Sequence, residues 1–111
     1  MVKNPQNLFS NLPTDHSREE FLTLLTTPTT RIERIVSHGE ITPEGEWYDQ
    51  EEGEWVLVVK GAAELLIEGD PAPLALTPGD HIYLAPHTRH RVTWTDPTCE
   101  TIWLAVFVAA T

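Results

Sequence analysis

Short runs of apolar and β-branched residues, separated by turn residues, occupy most of the chain after Pro28. These runs cover residues 31–37, 55–60, 63–68, 74–76, 81–85, 90–95 and 101–109. Glycine, proline and aspartate separate them, as at Gly53, Gly61 and Pro78-Gly79-Asp80. Short strands at a spacing of roughly 8–12 residues are typical of an all-β sandwich or barrel. The run at 55–60 is apolar on both faces, which predicts a strand covered on both sides.

The segment before Pro28 has a different pattern. Residues 1–12 are largely polar and predict an arm. The stretch Ser17-Arg18-Glu19-Glu20 matches a capping box, in which Ser17 and Glu20 satisfy each other's backbone amides. The apolar residues that follow have helical spacing: Phe21, Leu22, Leu24 and Leu25. We therefore predict an N-terminal arm with one short helix near residues 17–26, together residues 1–28, and a β-barrel over residues 29–111, one domain overall.

Composition narrows the range of functions. The chain has 111 residues, 41% of them hydrophobic, which fits one domain with one core. No apolar run reaches the roughly 18 residues that a membrane-spanning helix needs, and no signal-peptide pattern is present, so we expect a cytoplasmic protein without membrane partners. The net charge of −10 argues against nucleic acid as a partner, because phosphate binding needs a basic face. Cys99 is the only cysteine, which excludes an intrachain disulfide.

The acidic residues are distributed unevenly. Seven of the 17 lie between Glu40 and Glu54, where a solvated loop is the usual explanation. Strand alternation, however, places Glu54 on the same face as Val56 and Val58. A carboxylate that faces a β core needs a cation, a metal ion or a hydrogen-bond donor. At least this one acidic side chain is therefore predicted to point inward and to have a specific partner.

Two motifs in this region point to a known family. Glu54 is followed seven residues later by Gly61, and Pro78-Gly79-Asp80 is followed by a hydrophobic strand, Pro86 and then His90. Together they resemble the two motifs of the cupin superfamily, specifically of small single-domain bacterial cupins. The resemblance implies a jelly-roll barrel of two antiparallel sheets, a divalent metal ion held at the barrel mouth, and a homodimer. It places Glu54 and His90 at two of the metal-ligand positions.

The family's two leading histidines are absent. They would fall at Trp47 and Asp49, or at Tyr48 and Gln50 if the spacing is one residue shorter. Asp49 is the stronger ligand type because it is charged, whereas Gln50 is favoured by its position. A further imidazole, His87, stands where the family has a glycine. The candidate metal ligands are Gln50, Glu54, His90, His87 and Asp49.

These donors leave two interpretations of the site open. Oxygen ligands combined with imidazoles suit Fe, Mn, Ni or Zn, and the sequence does not choose among these metals. Alternatively, His90 and Glu54 form an imidazolium–carboxylate pair that needs no metal. Tyr48 and Trp94, with Trp47, are candidates to line the pocket mouth, although ordinary core packing is the simpler explanation for each.

Arg89 and Arg91 are candidates to hold an anionic substrate, but the sequence favours their pairing with the acidic stretch at residues 44–52. The predicted function is that of a small barrel with a divalent-metal or small-ligand pocket, which as an enzyme would be a metal-dependent dioxygenase, isomerase or lyase acting on a small polar molecule. The alternatives are a non-catalytic small-molecule binding or sensing barrel with a degenerate metal site, and a structural dimer. Fold alone does not decide whether the protein is an enzyme.

Overall fold

A computed structural model describes residues 4–110, and within this range it contains eight β-strands and no helix. The strands are β1 (Glu20–Thr26), β2 (Thr30–Ser37), β3 (Gly53–Lys60), β4 (Ala63–Ile67), β5 (Leu74–Leu76), β6 (His81–Leu84), β7 (His90–Thr95) and β8 (Thr101–Val108). Every predicted run after Pro28 corresponds to one of them. In the described part of the chain there is consequently no helix that could cross a bilayer.

The strands form two antiparallel sheets. One has five strands in the order β1-β2-β8-β3-β6, and the other has three in the order β5-β4-β7. An isolated bridge between Tyr48 and His90 attaches the loop before β3 to the edge of the smaller sheet. The prediction of an all-β jelly-roll barrel of two antiparallel sheets is therefore confirmed.

The predicted helix near residues 17–26 is wrong, because residues 20–26 form β1. The capping box does not form: Asp15 accepts hydrogen bonds from the Ser17 amide at 2.9 Å and the Ser17 hydroxyl at 2.6 Å. The Glu20 carboxylate instead binds the guanidinium of Arg34 on β2, at 2.8 Å. Pairing with the neighbouring strand β2 satisfies the β1 backbone, so tertiary context overrides the local helical signal.

Three rows of side chains on the inner face of the larger sheet run across its strands towards the polar end. The first row is Phe21, Ile35, Trp103 and Val58. The second is Glu33, Ala105, Val56 and Ile82. The third is Arg31, Phe107, Glu54 and Leu84. The ionisable members all belong to the second and third rows, so this end of the barrel carries the polar chemistry.

Gly61 allows the chain to turn from β3 into β4. Its φ is +86°, and a Cβ atom at this position would lie 2.5 Å from Thr101 Oγ1. Only glycine satisfies both conditions, which gives a physical reason for the glycine seven residues after Glu54 in the motif. The turn sets the position at which β3 enters the sheet and, with it, the position of Glu54.

Candidate functional site

A cavity of about 190 Å³ lies between the two sheets. Its walls are mostly apolar and come from both sheets. Seven polar side chains also line it: Glu19, Arg31, Glu33, Tyr48, Gln50, Glu54 and His90. The cavity is smaller than the roughly 300–1,000 Å³ of pockets that hold drug-sized ligands, so its shape suits a small molecule.

Glu54 and His90 meet inside this cavity. They come from different sheets, on β3 and β7, and only 7% and 5% of their surfaces are exposed. His90 Nε2 lies 3.5 Å from Glu54 Oε1. His90 Nδ1 lies 2.8 Å from the carbonyl oxygen of Thr88. Since a carbonyl can only accept, Nδ1 carries a proton and Nε2 is the nitrogen that faces Glu54.

The surroundings of His90 favour its protonated form. Burial is the largest single influence and by itself lowers the pKa of His90, because it disfavours the charged imidazolium. The hydrogen bonds to Glu54 and to the Thr88 carbonyl, with the negative charge of Glu54, together outweigh burial. The net result is a pKa of His90 raised above its ordinary value. The pair can therefore hold a proton on His90.

Gln50 and Tyr48 complete the polar end of the cavity. The Gln50 side-chain amide donates to Glu54 Oε1 at 3.3 Å. The Tyr48 ring stacks on the His90 ring, with centroids 5.5 Å apart and planes inclined by 24°. These are the two positions given by the shorter motif spacing. Tyrosine and glutamine thus lie beside the Glu54–His90 pair where the family pattern has histidines.

Asp49 and His87 lie together, but outside the cavity. Asp49 Oδ1 is 2.8 Å from His87 Nδ1, and 47% and 65% of these side chains are exposed. Neither residue lines the cavity that holds Glu54 and His90. The alternation of the loop explains this placement, since Asp49 points away from its neighbours Tyr48 and Gln50.

Trp94 is also outside the cavity. The sequence pattern places it on the same strand face as His90 and Val92, yet it is 39% exposed. In the pairing of β4 with β7, Glu64 faces Trp94 and Leu65 faces Val92, so Thr93 is an extra residue in a β-bulge. A bulge reverses the alternation beyond it, which turns Trp94 outward.

Arg89 and Arg91 lie on the outer surface near Trp47, and the residues that line the cavity include neither arginine. Their guanidinium carbons are 5.7 and 5.8 Å from the Trp47 ring centroid. Arg89 forms its ion pair with Glu68, at 3.5 Å, and Arg91 donates to the Thr42 carbonyl at 3.2 Å. The expected pairing with the acidic stretch at residues 44–52 is therefore wrong for both arginines.

The cation that does pair with that stretch is Arg31, which the sequence analysis did not identify as a site residue. Its guanidinium lies 2.9 Å from Glu33 and 2.9 Å from Glu52. It also stacks 4.2 Å above the centroid of the Phe107 ring. The alternation of Arg31, Glu33 and Ile35 along β2 is the signal that could have placed both charges on the inner face.

Glu19 is the third polar lining residue that the sequence analysis missed, after Arg31 and Glu33, because the helix prediction included it in the capping-box stretch. Its Oε2 accepts a 2.6 Å hydrogen bond from the Ser37 hydroxyl. Burial raises the pKa of Glu19; the bond from Ser37 opposes this effect, and the charge of Glu40 adds to it. Glu19 therefore holds its proton more readily than an exposed glutamate.

Several carboxylates act on Tyr48 as well. Burial is the main cause of its raised pKa, followed by the negative charges of Glu19, Glu54 and Glu46. A side-chain hydrogen bond with Thr42 opposes the shift. These influences keep the Tyr48 phenol neutral at physiological pH, so it can donate or accept a hydrogen bond.

The donor set does not fit the divalent metal ion that the family resemblance implies. Within residues 4–110 no group of three or more histidine, cysteine, aspartate or glutamate side chains is arranged to hold a metal ion. Glu54 and His90 are two strong ligand types, but Gln50 uses its amide group to donate to Glu54. Protein sites for transition metals usually supply at least three ligands. The site is thus better described as a cavity with mostly apolar walls and the Glu54–His90 pair at its polar end.

Comparison with known proteins places the chain in a family. A family profile described as "Cupin domain" matches residues 34–107, which include β3, β7 and both motifs. The chain belongs to the cupin family. None of the curated proteins matches this cupin.

Several solved structures are similar to this cupin. A protein of Ralstonia eutropha JMP134, described as a "putative mannose-6-phosphate isomerase", is 44% identical, with a TM-score of 0.93 over 97% of this chain and 100% of its own. A cupin superfamily protein of Desulfitobacterium hafniense DCB-2 is 15% identical, with a TM-score of 0.78 over 99% of this chain and 94% of its own. The second similarity shows the fold alone.

Proposed function

We propose that this cupin binds a small organic molecule in the cavity between its sheets, with Glu54, His90, Gln50 and Tyr48 contacting the polar part of the ligand. The observation that carries the proposal is the Glu54–His90 pair. Both side chains are more than nine-tenths buried, and both line a cavity whose walls are mostly apolar. Buried polar groups of this kind fix the orientation of a ligand, while the apolar walls supply most of the binding free energy. The protein would act in the cytoplasm, as the sequence suggests.

A second candidate function is an isomerase. It is favoured by the description of the Ralstonia relative, which is 44% identical along nearly all of this chain. The Glu54–His90 pair supplies a base and an acid at 3.5 Å, the combination that proton transfer within a bound molecule requires. The predicted metal-dependent chemistry stays a prediction, since the donor set described above lacks the ligands for it.

A substitution that fills the cavity with a larger side chain tests the proposed binding function. We expect 2-phenylethanol to bind the parent saturably and to shift the amide resonances of His90 and Leu65 in ¹H–¹⁵N spectra. Val92→Phe, on the cavity wall, should weaken this binding by about tenfold or more, because the larger ring occupies the ligand volume. Thr93→Phe is the matched control, since Thr93 lies in the bulge outside the cavity.

Equal binding by the two variants, or no saturable binding by the parent, would contradict the proposal. The isomerase candidate is tested on the same sample. Mannose 6-phosphate is added to the parent and its ¹H spectrum is followed over time. Appearance of the ketose phosphate at a rate that depends on Glu54 and His90 would favour the isomerase over simple binding.

We further propose that the protein is a homodimer. The predicted N-terminal segment, residues 1–28, would form the contact through which the barrels of two subunits, residues 29–111 of each, associate. Strand β1 is at one end of the larger sheet, so one of its edges is unpaired. Its large apolar side chains are 41–54% exposed: Phe21, Leu22, Leu24 and Leu25. An apolar edge strand of this kind is a surface that a second copy would cover.

A charged side chain introduced on β1 should separate the two subunits of the dimer. We expect light scattering to give twice the 12.5 kDa chain mass for the parent and the monomer mass for Leu25→Lys. Leu74→Lys is the matched control, because Leu74 lies on β5, an edge strand of the other sheet, and is 38% exposed. A monomeric parent at micromolar concentration, or equal dissociation by the two variants, would show that β1 is not the interface.

A further inference from the structure

We infer that the ligand of this cavity is a small organic cation, an amine or ammonium group on an apolar body, and not a sugar phosphate. The inference rests on the proposed binding function and specifies the chemical class of the ligand. It is carried by the charges around the cavity, by one free carboxylate oxygen inside it, and by its aromatic walls.

Carboxylates outnumber cations around the cavity. Glu19, Glu33 and Glu54 all line it, and Arg31 is the one lysine or arginine among the lining residues in the described part of the chain. His90, whose raised pKa favours its protonated form, adds a second positive charge. The three carboxylates then exceed the two cations by one while Glu19, whose pKa is also raised, is ionised. An excess of negative charge in a site with low dielectric walls favours a cation over an anion.

The single arginine is already neutralised. Glu33 and Glu52 both contact its guanidinium at 2.9 Å. A phosphate group would have to displace both carboxylates and would then lie among the remaining negative charges. Recognition of phosphate normally uses unpaired arginine or lysine groups, or a set of backbone amides. The cavity therefore lacks the chemistry that a phosphorylated sugar needs.

Glu54 has one oxygen left for a ligand. The hydrogen bond from Gln50 and the contact with His90 both involve Oε1. Among residues 4–110, no group donates a hydrogen bond to Oε2, and this oxygen is accessible from the cavity that Glu54 lines. An ammonium or amine N–H group that enters the cavity can therefore donate to Oε2.

The aromatic walls favour a cation as well. Phe21, Trp103 and Phe107 line the cavity, and Tyr48 lies at its polar end. The Phe107 ring already forms a cation–π contact with the Arg31 guanidinium, which lies 4.2 Å from the ring centroid. Aromatic faces attract ammonium groups through their quadrupoles, most strongly where water is excluded. The same side chains offer apolar contact to the rest of the ligand.

A series of probes that differ in charge tests the inference. Phenethylamine, 2-phenylethanol and phenylacetate share a phenyl ring and differ mainly in the charge of the polar group. By titration calorimetry, we expect phenethylamine to bind about tenfold or more tightly than 2-phenylethanol, with phenylacetate and mannose 6-phosphate weaker than both.

Removing one carboxylate should reduce this selectivity. In Glu54→Gln the ratio of amine to alcohol affinity should fall by about tenfold, because the charge opposite the ammonium is lost. Glu68→Gln is the matched control: it removes the same charge from a side chain that is 49% exposed and outside the cavity, and the ratio should not change.

The outcomes separate the two proposals. If phenylacetate or mannose 6-phosphate binds as tightly as phenethylamine, the inference is overturned while the proposed binding function stands. An unchanged affinity ratio in Glu54→Gln would likewise overturn it. Absence of binding by every probe would overturn the binding function and the inference with it.

Discussion

Replacing Tyr48 and Gln50 together by histidine should convert the cavity into a divalent-metal site. The double variant is expected to bind Zn(II), Ni(II) or Mn(II) about a hundredfold or more tightly than the parent, since two imidazoles are added to the Glu54–His90 pair. Each additional ligand contributes a few kcal/mol, and about 1.4 kcal/mol corresponds to a factor of ten. Calorimetry with untagged protein measures the difference, and elemental analysis checks the metal content after purification.

The control for this experiment comes from the same loop. Trp47→His with Asp49→His adds the same two imidazoles at the longer spacing. These positions do not line the cavity, so the control should show no comparable gain. Equal affinity in the two double variants would mean that the loop does not hold Tyr48 and Gln50 as described. Tight metal binding by the parent, abolished by Glu54→Ala or His90→Ala, would instead support the metal-dependent prediction from the sequence.

The strands were predictable because each has a strong local signal. Residues 90–95 and 74–76 are predicted with the same bounds that β7 and β5 have in the structure, and the other strands after Pro28 differ at their ends by one or two residues. Alternation also placed Glu54 correctly with Val56 and Val58 on a buried face. These features depend on near neighbours in the chain, which the sequence displays directly.

The two main errors have a common physical origin. The apolar residues from Phe21 to Leu25 have helical spacing, but they form a strand because their backbone pairs with that of β2. The sequence does not show that these two segments are neighbours. The outward turn of Trp94 depends on a bulge opposite Glu64, which arises from the pairing of two strands. Both features are properties of the sheet and not of either segment alone.

Part of the candidate site was also predictable from the sequence. The motif resemblance identified Glu54 and His90, and the structure brings these two side chains together. The resemblance left two spacings open, and the structure places Gln50 and Tyr48 beside the pair. Glu19, Arg31 and Glu33 were missed because they reach the cavity from the residue that precedes β1 and from β2, where no motif marks them.

Loss of the Arg34 side chain should be among the most destabilising substitutions in the protein. Arg34 is 2% exposed, and its two terminal nitrogens donate to the backbone carbonyls of Leu8, Ser10 and Asn11 at 2.7–3.2 Å. The same guanidinium forms the 2.8 Å ion pair with Glu20 on β1. One side chain therefore attaches both the N-terminal arm and the edge strand to the sheet.

Arg34→Leu keeps apolar volume at this position but leaves three carbonyls and one carboxylate without a donor. Hydrogen bonds from a charged group contribute about 1.5–3 kcal/mol, and the pair with Glu20 adds less because the Glu20 side chain is 35% exposed. We therefore expect a loss of about 2–4 kcal/mol, which corresponds to a fall in Tm of roughly 8–16 °C for a domain of this size. Arg34→Lys should recover only part of the loss, because one ammonium cannot reproduce the planar, five-donor geometry of a guanidinium. Calorimetric melting of the three proteins measures these differences.

Arg89→Leu is the matched control for the loss of an arginine. The Arg89 side chain is 45% exposed and its nearest carboxylate oxygen, on Glu68, is 3.5 Å away. Exposed pairs of this kind contribute about 0–1 kcal/mol, so the melting temperature should change by a few degrees at most.

Amide hydrogen exchange locates the effect: Arg34→Leu should expose the amides of residues 7–11 and of β1 before those of β3 and β8. If Arg34→Leu melts like Arg89→Leu and the arm keeps its protection, the bonds from Arg34 are not what holds the arm and β1 to the sheet.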